Sequence, residues 1–146
     1  MEKLNFSIEI KAPKQKVWKV LFDDATYRNW TSVFAPDSYA ETDWKEGSKA
    51  LFIDGKGNGM ISRIAKNEPN RFLSIEHLGM IKDGVEDLES EDVKKWAGAK
   101  ENYTLAESGG TTSLKVDIDT YSEWKDYFSE TWPKALEKVK ELSENN

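Results

Sequence analysis

The chain has 146 residues, 21 Lys and Arg against 27 Asp and Glu, and no cysteine. Its length suits one domain with a sizeable core. The net charge of −6 argues against nucleic acid and anionic membranes as partners, and the absence of cysteine excludes disulfides and thiol catalysis.

The first half of the chain predicts one strand, two short helices and a series of antiparallel strands. Residues 4–10 alternate between apolar and polar side chains, which is typical of a half-buried strand. Pro13 suits the first turn of a helix with a wide apolar face, and a second short helix is predicted over Thr26–Phe34. Strands separated by turn sequences are then predicted over Tyr39–Trp44, Lys49–Ile53, Met60–Lys66 and Arg71–Ile81.

The glycine-rich segment at 55–59, GKGNG, superficially resembles a phosphate-binding loop. Such a loop needs a helix after it, where backbone N–H groups converge on the phosphate. Here a strand follows, so we predict a hairpin turn instead.

The acidic segment 85–98 predicts a long excursion with one helical turn around Ser90–Trp96. Its carboxylates lack the ligand spacing of an EF-hand loop, so a solvated and mobile face is the simpler interpretation. The alternative is a lid, since Trp96 and two other apolar residues accompany the charges.

The last third of the chain predicts a hairpin followed by a long helix. The hairpin strands are Glu101–Glu107 and Thr111–Thr120, and Thr120 with Glu123 matches a capping box. Apolar residues recur at helical spacing from there to Leu142, which predicts a helix over Thr120–Ser143. Pro133 lacks the N–H that a helix interior needs, so we expect a kink or break near Trp132.

Aromatic residues make up 12% of the chain, with six tryptophans. Each one is more often a core residue than a ligand contact, but so many large rings are difficult to pack without voids. An aromatic-lined cavity is therefore predicted, and its candidate lining residues are Trp18, Phe22, Trp30, Phe34, Trp96, Phe128 and Trp132.

Strand alternation also predicts a polar group inside this cavity. It places the only histidine, His77, on the same face as Leu73, Ile75, Gly79 and Ile81. In the later strand, Glu101 and Tyr103 share the face of Leu105. If the two strands are neighbours, His77, Glu101 and Tyr103 converge on the concave side of the sheet. Three interpretations stay open: a buried structural cluster, an anchor for a ligand's polar group, or an acid/base pair.

The order of elements resembles the START-like, or SRPBCC, superfamily, the helix-grip fold of the birch-pollen allergen Bet v 1. Five stretches resemble the branch named for the activator of heat-shock-protein ATPase homologue 1-like proteins: FSIEIKAPKQKVWKVLFD, YRNW, WKEGS, GMISRIAKNEPNRFLSIEH and FSETWPKALEKVKELSE. The resemblance implies an α+β fold in which a curved antiparallel sheet of about seven strands wraps around a long C-terminal helix. It implies a cavity protein and no shared catalytic residues.

We therefore expect residues 1–146 to form a single START-like domain that binds a small, largely hydrophobic molecule. No cofactor, metal, nucleic acid or membrane partner is expected, and the oligomeric state stays open. The chain has neither a signal-peptide pattern nor an apolar run long enough to span a membrane, which predicts a cytoplasmic protein. The alternatives are a cyclase- or hydrolase-like enzyme that uses His77 and Glu101, and a co-chaperone-like interaction module.

Overall fold

The computed structural model describes residues 1–145, which form an eight-stranded antiparallel sheet and four helices. The strands are β1 Glu2–Ile10, β2 Tyr39–Glu41, β3 Lys49–Ile53, β4 Gly59–Glu68, β5 Phe72–Lys82, β6 Val85–Asp87, β7 Lys100–Ser108 and β8 Thr111–Thr120. The helices are α1 Lys14–Phe22, α2 Asp24–Thr31, α3 Glu91–Trp96 and α4 Ser122–Glu144. Asn146, the last residue of the predicted domain, lies outside the described residues.

The strands are ordered β1-β8-β7-β5-β4-β3-β2, and the short β6 pairs with β5. Helix α4 packs against β1, α1 and α2. The main core lies between the sheet and the helices, where Val116 and Leu114 of β8 are buried in one cluster with Leu136 and Val139 of α4. The predicted helix-grip architecture is confirmed, with one short strand more than expected.

Helix α4 continues through Pro133 without interruption, so the helix does not break there, and the expected kink remains a prediction. Pro133 is exposed, and it marks a change in the helix. Almost every residue from 122 to 130 is exposed, whereas the buried residues of α4 lie between Thr131 and Ser143. Only the second half of the helix therefore belongs to the core.

The predicted capping box at the start of α4 is also wrong. The helix begins at Ser122, and its N-cap residue is Tyr121. Thr120 is still the last residue of β8, where it pairs with Glu2 of β1. The helix therefore starts one residue beyond the position that the local sequence signal predicts, and Thr120 stays in the strand ladder.

A β-bulge in β5 changes which side chains face the helices. Ser62 of β4 pairs with His77, but the preceding residue, Ile61, pairs with Gly79, so Leu78 has no partner. One unpaired residue reverses the alternation beyond it. Met80 therefore faces the same side as His77, and the expectation that Gly79 and Ile81 share the face of His77 is wrong.

The segment 85–98 begins with regular secondary structure that was not predicted. Val85–Asp87 form β6, which pairs with Met80–Lys82 across a turn, whereas an irregular excursion was expected there. Gly79 allows this close approach, because an added Cβ would lie 2.5 Å from the carbonyl oxygen of Asp87. The helical turn around Ser90–Trp96 is confirmed as α3, with the Ser90 hydroxyl accepting a hydrogen bond from the backbone N–H of Val93.

The predicted strand over Tyr39–Trp44 is shorter in the structure. Strand β2 ends at Glu41, and Trp44 has a φ of 62°. This left-handed conformation is incompatible with a strand and is strained for a bulky residue. Trp44 packs its ring against Phe22 instead, so tertiary packing decides the backbone here.

Truncation of Leu136 tests how far the fold depends on α4. Leu136 is 2% exposed within the main core, so Leu136→Ala is expected to lower the free energy of unfolding by about 2–5 kcal/mol. The matched control is Glu137→Ala on the exposed side of the same helix turn, which should leave stability nearly unchanged because alanine favours helices. Urea unfolding measures both, and equal losses would contradict the packing described here.

Candidate functional site

A cavity of about 580 Å³ lies between the sheet, α2 and α4. Its walls are mainly apolar and aromatic. The sheet contributes Phe52, Met60, His77, Met80, Glu101 and Ile118, and α2 with the loop after it contributes Tyr27, Trp30, Thr31 and Phe34. Helix α4 contributes Trp124, Tyr127, Phe128 and Trp132, and α3 contributes Trp96.

Trp132 separates the core from the cavity. It is 4% exposed, and its ring centroid lies 6.2 Å from that of Phe6, 4.9 Å from that of Phe34 and 6.2 Å from that of Tyr103. Core side chains thus hold one side of the indole, while the cavity lies against another. The aromatic wall is fixed by packing and does not depend on a ligand for its position.

The cavity opens at the end of the sheet where α4 begins. Its three most exposed lining residues are Met1, Trp124 and Tyr127, whose surfaces are 59%, 53% and 39% exposed. The Tyr127 hydroxyl donates a hydrogen bond of 3.0 Å to the Phe34 carbonyl oxygen, and the Tyr121 hydroxyl donates one to the Lys95 carbonyl oxygen. These bonds join the exposed half of α4 to the loop after α2 and to α3, across the mouth.

One polar chain runs from the sheet into this apolar space. Ser62 Oγ lies 2.7 Å from His77 Nδ1, His77 Nε2 lies 3.0 Å from Glu101 Oε1, and the Tyr103 hydroxyl donates to Glu101 Oε2. The His77 side chain is 12% exposed and that of Glu101 is 21% exposed. Ser62 and Tyr103 are buried behind them. Each polar atom of the chain has a partner, as burial requires.

Burial and the charge of Glu101 raise the pKa of two tyrosines beside these hydrogen-bonded side chains. Desolvation, followed by the charge of Glu101, raises the pKa of Tyr103 well above its usual range. The same two causes raise the pKa of Tyr27, whose side chain lines the cavity. Both hydroxyl groups therefore stay protonated at neutral pH, and Tyr103 remains a donor to Glu101.

Most of the sequence-predicted site residues lie around the cavity. His77, Glu101, Trp30, Phe34, Trp96, Phe128 and Trp132 line it. Tyr103 contributes through its bond to Glu101 and is itself 1% exposed. Trp18 and Phe22 lie elsewhere: the two rings pack against each other at 4.8 Å, and Phe22 borders a separate depression of about 160 Å³.

Two residues of the site, Met80 and Ser62, were missed by the sequence analysis. Met80 was assigned to the opposite face because no sequence signal marks the bulge at Leu78. Ser62 completes the polar chain, and Ile61 and Ile64, three residues apart in β4, lie on opposite faces of the strand, so the sequence does not indicate which face of β4 is apolar. The register of Ser62 opposite His77 could have been found only by pairing the two strands, because a serine in a strand carries no distinctive pattern.

Within residues 1–145, no three His, Asp or Glu side chains cluster so as to hold a metal ion. The described helices also include none with the length and hydropathy of a membrane span.

Comparison with known families identifies the chain. A family model described as activator of Hsp90 ATPase homolog 1-like protein matches residues 11–144. The chain belongs to this family. The predicted START-like branch is thereby confirmed. No functionally curated protein matches the sequence.

Solved structures share the fold across nearly the whole chain. Protein MLL2253 from Mesorhizobium loti is 16% identical, with a TM-score of 0.75 over 97% of this chain and 96% of that one. The Aha1 dimer from Colwellia psychrerythraea is 17% identical, with a TM-score of 0.72 over 99% and 97%. Protein CV1439 from Chromobacterium violaceum is 14% identical, with a TM-score of 0.70 and full coverage of both chains. At these identities the similarity shows only that this chain shares their fold.

The raised pKa of Tyr103 predicts a loss of stability in alkali. A raised folded-state pKa leaves stability unaffected below the unfolded pKa of about 10 and lowers it as pH rises above that value. Each such tyrosine lowers the free energy of unfolding by at most about 1.4 kcal/mol per pH unit in this range. Tyr103→Phe should lower stability at neutral pH and flatten the alkaline slope by up to that amount. Urea unfolding between pH 8 and pH 11 measures it, and an unchanged slope would contradict the assignment.

Proposed function

We propose that this protein binds a small, largely apolar molecule in the cavity between the sheet and α4, with the His77–Glu101 pair orienting the ligand's polar group. The observation that supports this most is the combination of about 580 Å³ of aromatic-walled space with one polar pair at its wall. Small-molecule sites typically combine apolar walls with a few polar groups in this way. Cytoplasmic location and the extent of the domain, residues 1–146, remain predictions.

The hydrogen bonds weigh against the enzyme hypothesis. Nδ1 of His77 is engaged by Ser62 and Nε2 by Glu101. A general base takes its proton from a group that one of its nitrogens faces, and the nitrogens of His77 face Glu101 and Ser62, of which Ser62 is fully buried and does not line the cavity. The pair therefore supports an anchoring role more than proton transfer.

The interaction-module hypothesis is supported only by relatives. The Colwellia protein of this fold is described as a dimer, and the family carries the name of an ATPase activator. Self-association of this chain and a protein partner therefore stay secondary proposals. Size-exclusion chromatography with light scattering at two protein concentrations tests the first of them.

A fluorescence titration tests ligand binding directly. N-phenyl-1-naphthylamine is uncharged and brightens in apolar surroundings, so a saturable rise in its emission is expected with the wild-type protein. Met80→Trp adds bulk to the cavity wall and should weaken binding about tenfold or more, equivalent to about 1.4 kcal/mol. The control, Lys115→Trp, places the same indole at an exposed position of β8 and should leave binding unchanged.

Equal binding by both tryptophan variants would place the probe outside the cavity and contradict the proposal. Native mass spectrometry of the purified protein gives an independent measurement, because a molecule co-purified in the cavity would appear as an added mass that Met80→Trp diminishes.

The segment 85–98 is expected to exchange its amide hydrogens faster than residues 114–118 of β8. Val85 and Leu88 are 68% and 50% exposed, and Val93 is the one buried residue of the segment, so little apolar burial offsets the entropy of ordering it. Trp96 connects it to the cavity. N-phenyl-1-naphthylamine should therefore slow exchange in 85–98, and exchange as slow as in β8 without the probe would contradict the predicted mobility.

A further inference from the structure

The polar chain beside the cavity has used all of its hydrogen-bond donors. Tyr103 donates its hydroxyl hydrogen to Glu101, and both ring nitrogens of His77 are engaged, at 2.7 Å to Ser62 and 3.0 Å to Glu101. Each carboxylate oxygen can accept two hydrogen bonds, and each oxygen of Glu101 has one partner in this chain. The hydrogen-bonding positions that remain free are therefore acceptor positions on Glu101, which lines the cavity.

This conclusion holds for either protonation state of His77. When the imidazole is neutral and protonated at Nε2, the Ser62 hydroxyl donates to Nδ1. When the imidazole is charged, both nitrogens donate and the Ser62 hydrogen is released. Ser62 is fully buried and does not line the cavity, so its hydrogen stays out of a ligand's reach.

No basic side chain shares the concave face with Glu101 on its own strand. Lys100 and Asp119 also border the cavity, but strand alternation places the side chain of Lys100 on the opposite face from that of Glu101. Asp119 is on that outer face as well, where Lys3 pairs with it at 3.2 Å. The remaining charged side chain of the lining, Asp54, is also acidic. An anionic group entering the cavity would thus meet a carboxylate without a compensating cation from β7, which is costly in an apolar site.

We infer that the ligand carries a hydrogen-bond donor without negative charge, a hydroxyl or an ammonium group, and that Glu101 accepts its hydrogen bond. This inference rests on the proposed function and narrows it, since it excludes fatty acids and other carboxylates as the preferred class. His77 and Tyr103 are positioning residues: they hold the two oxygens of Glu101 so that the second acceptor position of each remains available.

Four probes with one apolar body test the inference by isothermal titration calorimetry at pH 7. They are 2-methylnaphthalene, 2-naphthol, 2-naphthylmethylammonium and 2-naphthoate. A hydrogen bond to a charged group contributes about 1.5–3 kcal/mol, so the favoured donor probe should bind at least about tenfold more tightly than 2-methylnaphthalene. 2-Naphthoate should bind more weakly than 2-methylnaphthalene. Whether the naphthol or the ammonium binds more tightly identifies the donor as hydroxyl or ammonium.

Glu101→Gln locates the effect. It should reduce the affinity of the donor probe relative to 2-methylnaphthalene severalfold. The matched control is Glu76→Gln on the same sheet: Glu76 pairs with Arg63 at 2.8 Å and does not line the cavity. This control should retain the order of affinities of the wild-type protein. If Glu101→Gln does not melt cooperatively, the four affinities of the wild-type protein decide.

The outcomes separate the two proposals. Binding of 2-methylnaphthalene with no advantage for either donor probe, or with 2-naphthoate binding most tightly, overturns the inference and leaves the proposed function standing. Failure of all four probes to bind overturns both. A donor advantage that Glu101→Gln leaves undiminished in a folded protein also overturns the inference, because a hydrogen bond to the charged carboxylate should weaken when that charge is removed.

Discussion

Packing of the second half of α4 against the sheet determines where the core ends and the cavity begins. From Thr131 onward the helix presents buried residues to the sheet, whereas its first half, residues 122–130, is mostly exposed. The first half nevertheless covers the cavity through Tyr127 and Phe128. A single helix thus has two functions, and Pro133 lies close to the boundary between them. The core can stabilise the fold without filling the space under the first half.

The partly buried carboxylate of Glu101 imposes the second constraint. Glu101 shares the face of Tyr103 and Leu105, so it is drawn inward with them, and a carboxylate there needs partners. Tyr103 and His77 supply one partner for each of its oxygens. The bulge at Leu78 contributes to this arrangement. It keeps His77 opposite Ser62 and turns Met80 toward the cavity, so polar and apolar wall residues come from one strand.

Family membership and site chemistry support different conclusions. The match over residues 11–144 establishes the family, and the related structures, at 14–17% identity, establish the fold. Neither of these comparisons identifies a ligand for this chain. The choice of ligand class comes from the acceptor capacity of Glu101 and from the faces on which the lysines lie. Those features belong to this sequence, and they make the ligand hypothesis testable without a known natural substrate.

By itself the sequence determined the architecture and most of the polar site. Alternation in β1, β7 and β8 and the helical spacing after residue 122 are strong local periods, and Ile75 with Tyr103 fixed the faces of His77 and Glu101. Tertiary structure decided what local patterns do not encode. The bulge at Leu78 reversed the face of Met80 and Ile81. Thr120 pairs with Glu2 at the end of β8 and leaves the cap position to Tyr121, and packing placed Trp18 and Phe22 away from the cavity. Each of these outcomes depends on a partner distant in sequence, because register and packing are properties of pairs of segments and no single segment specifies them.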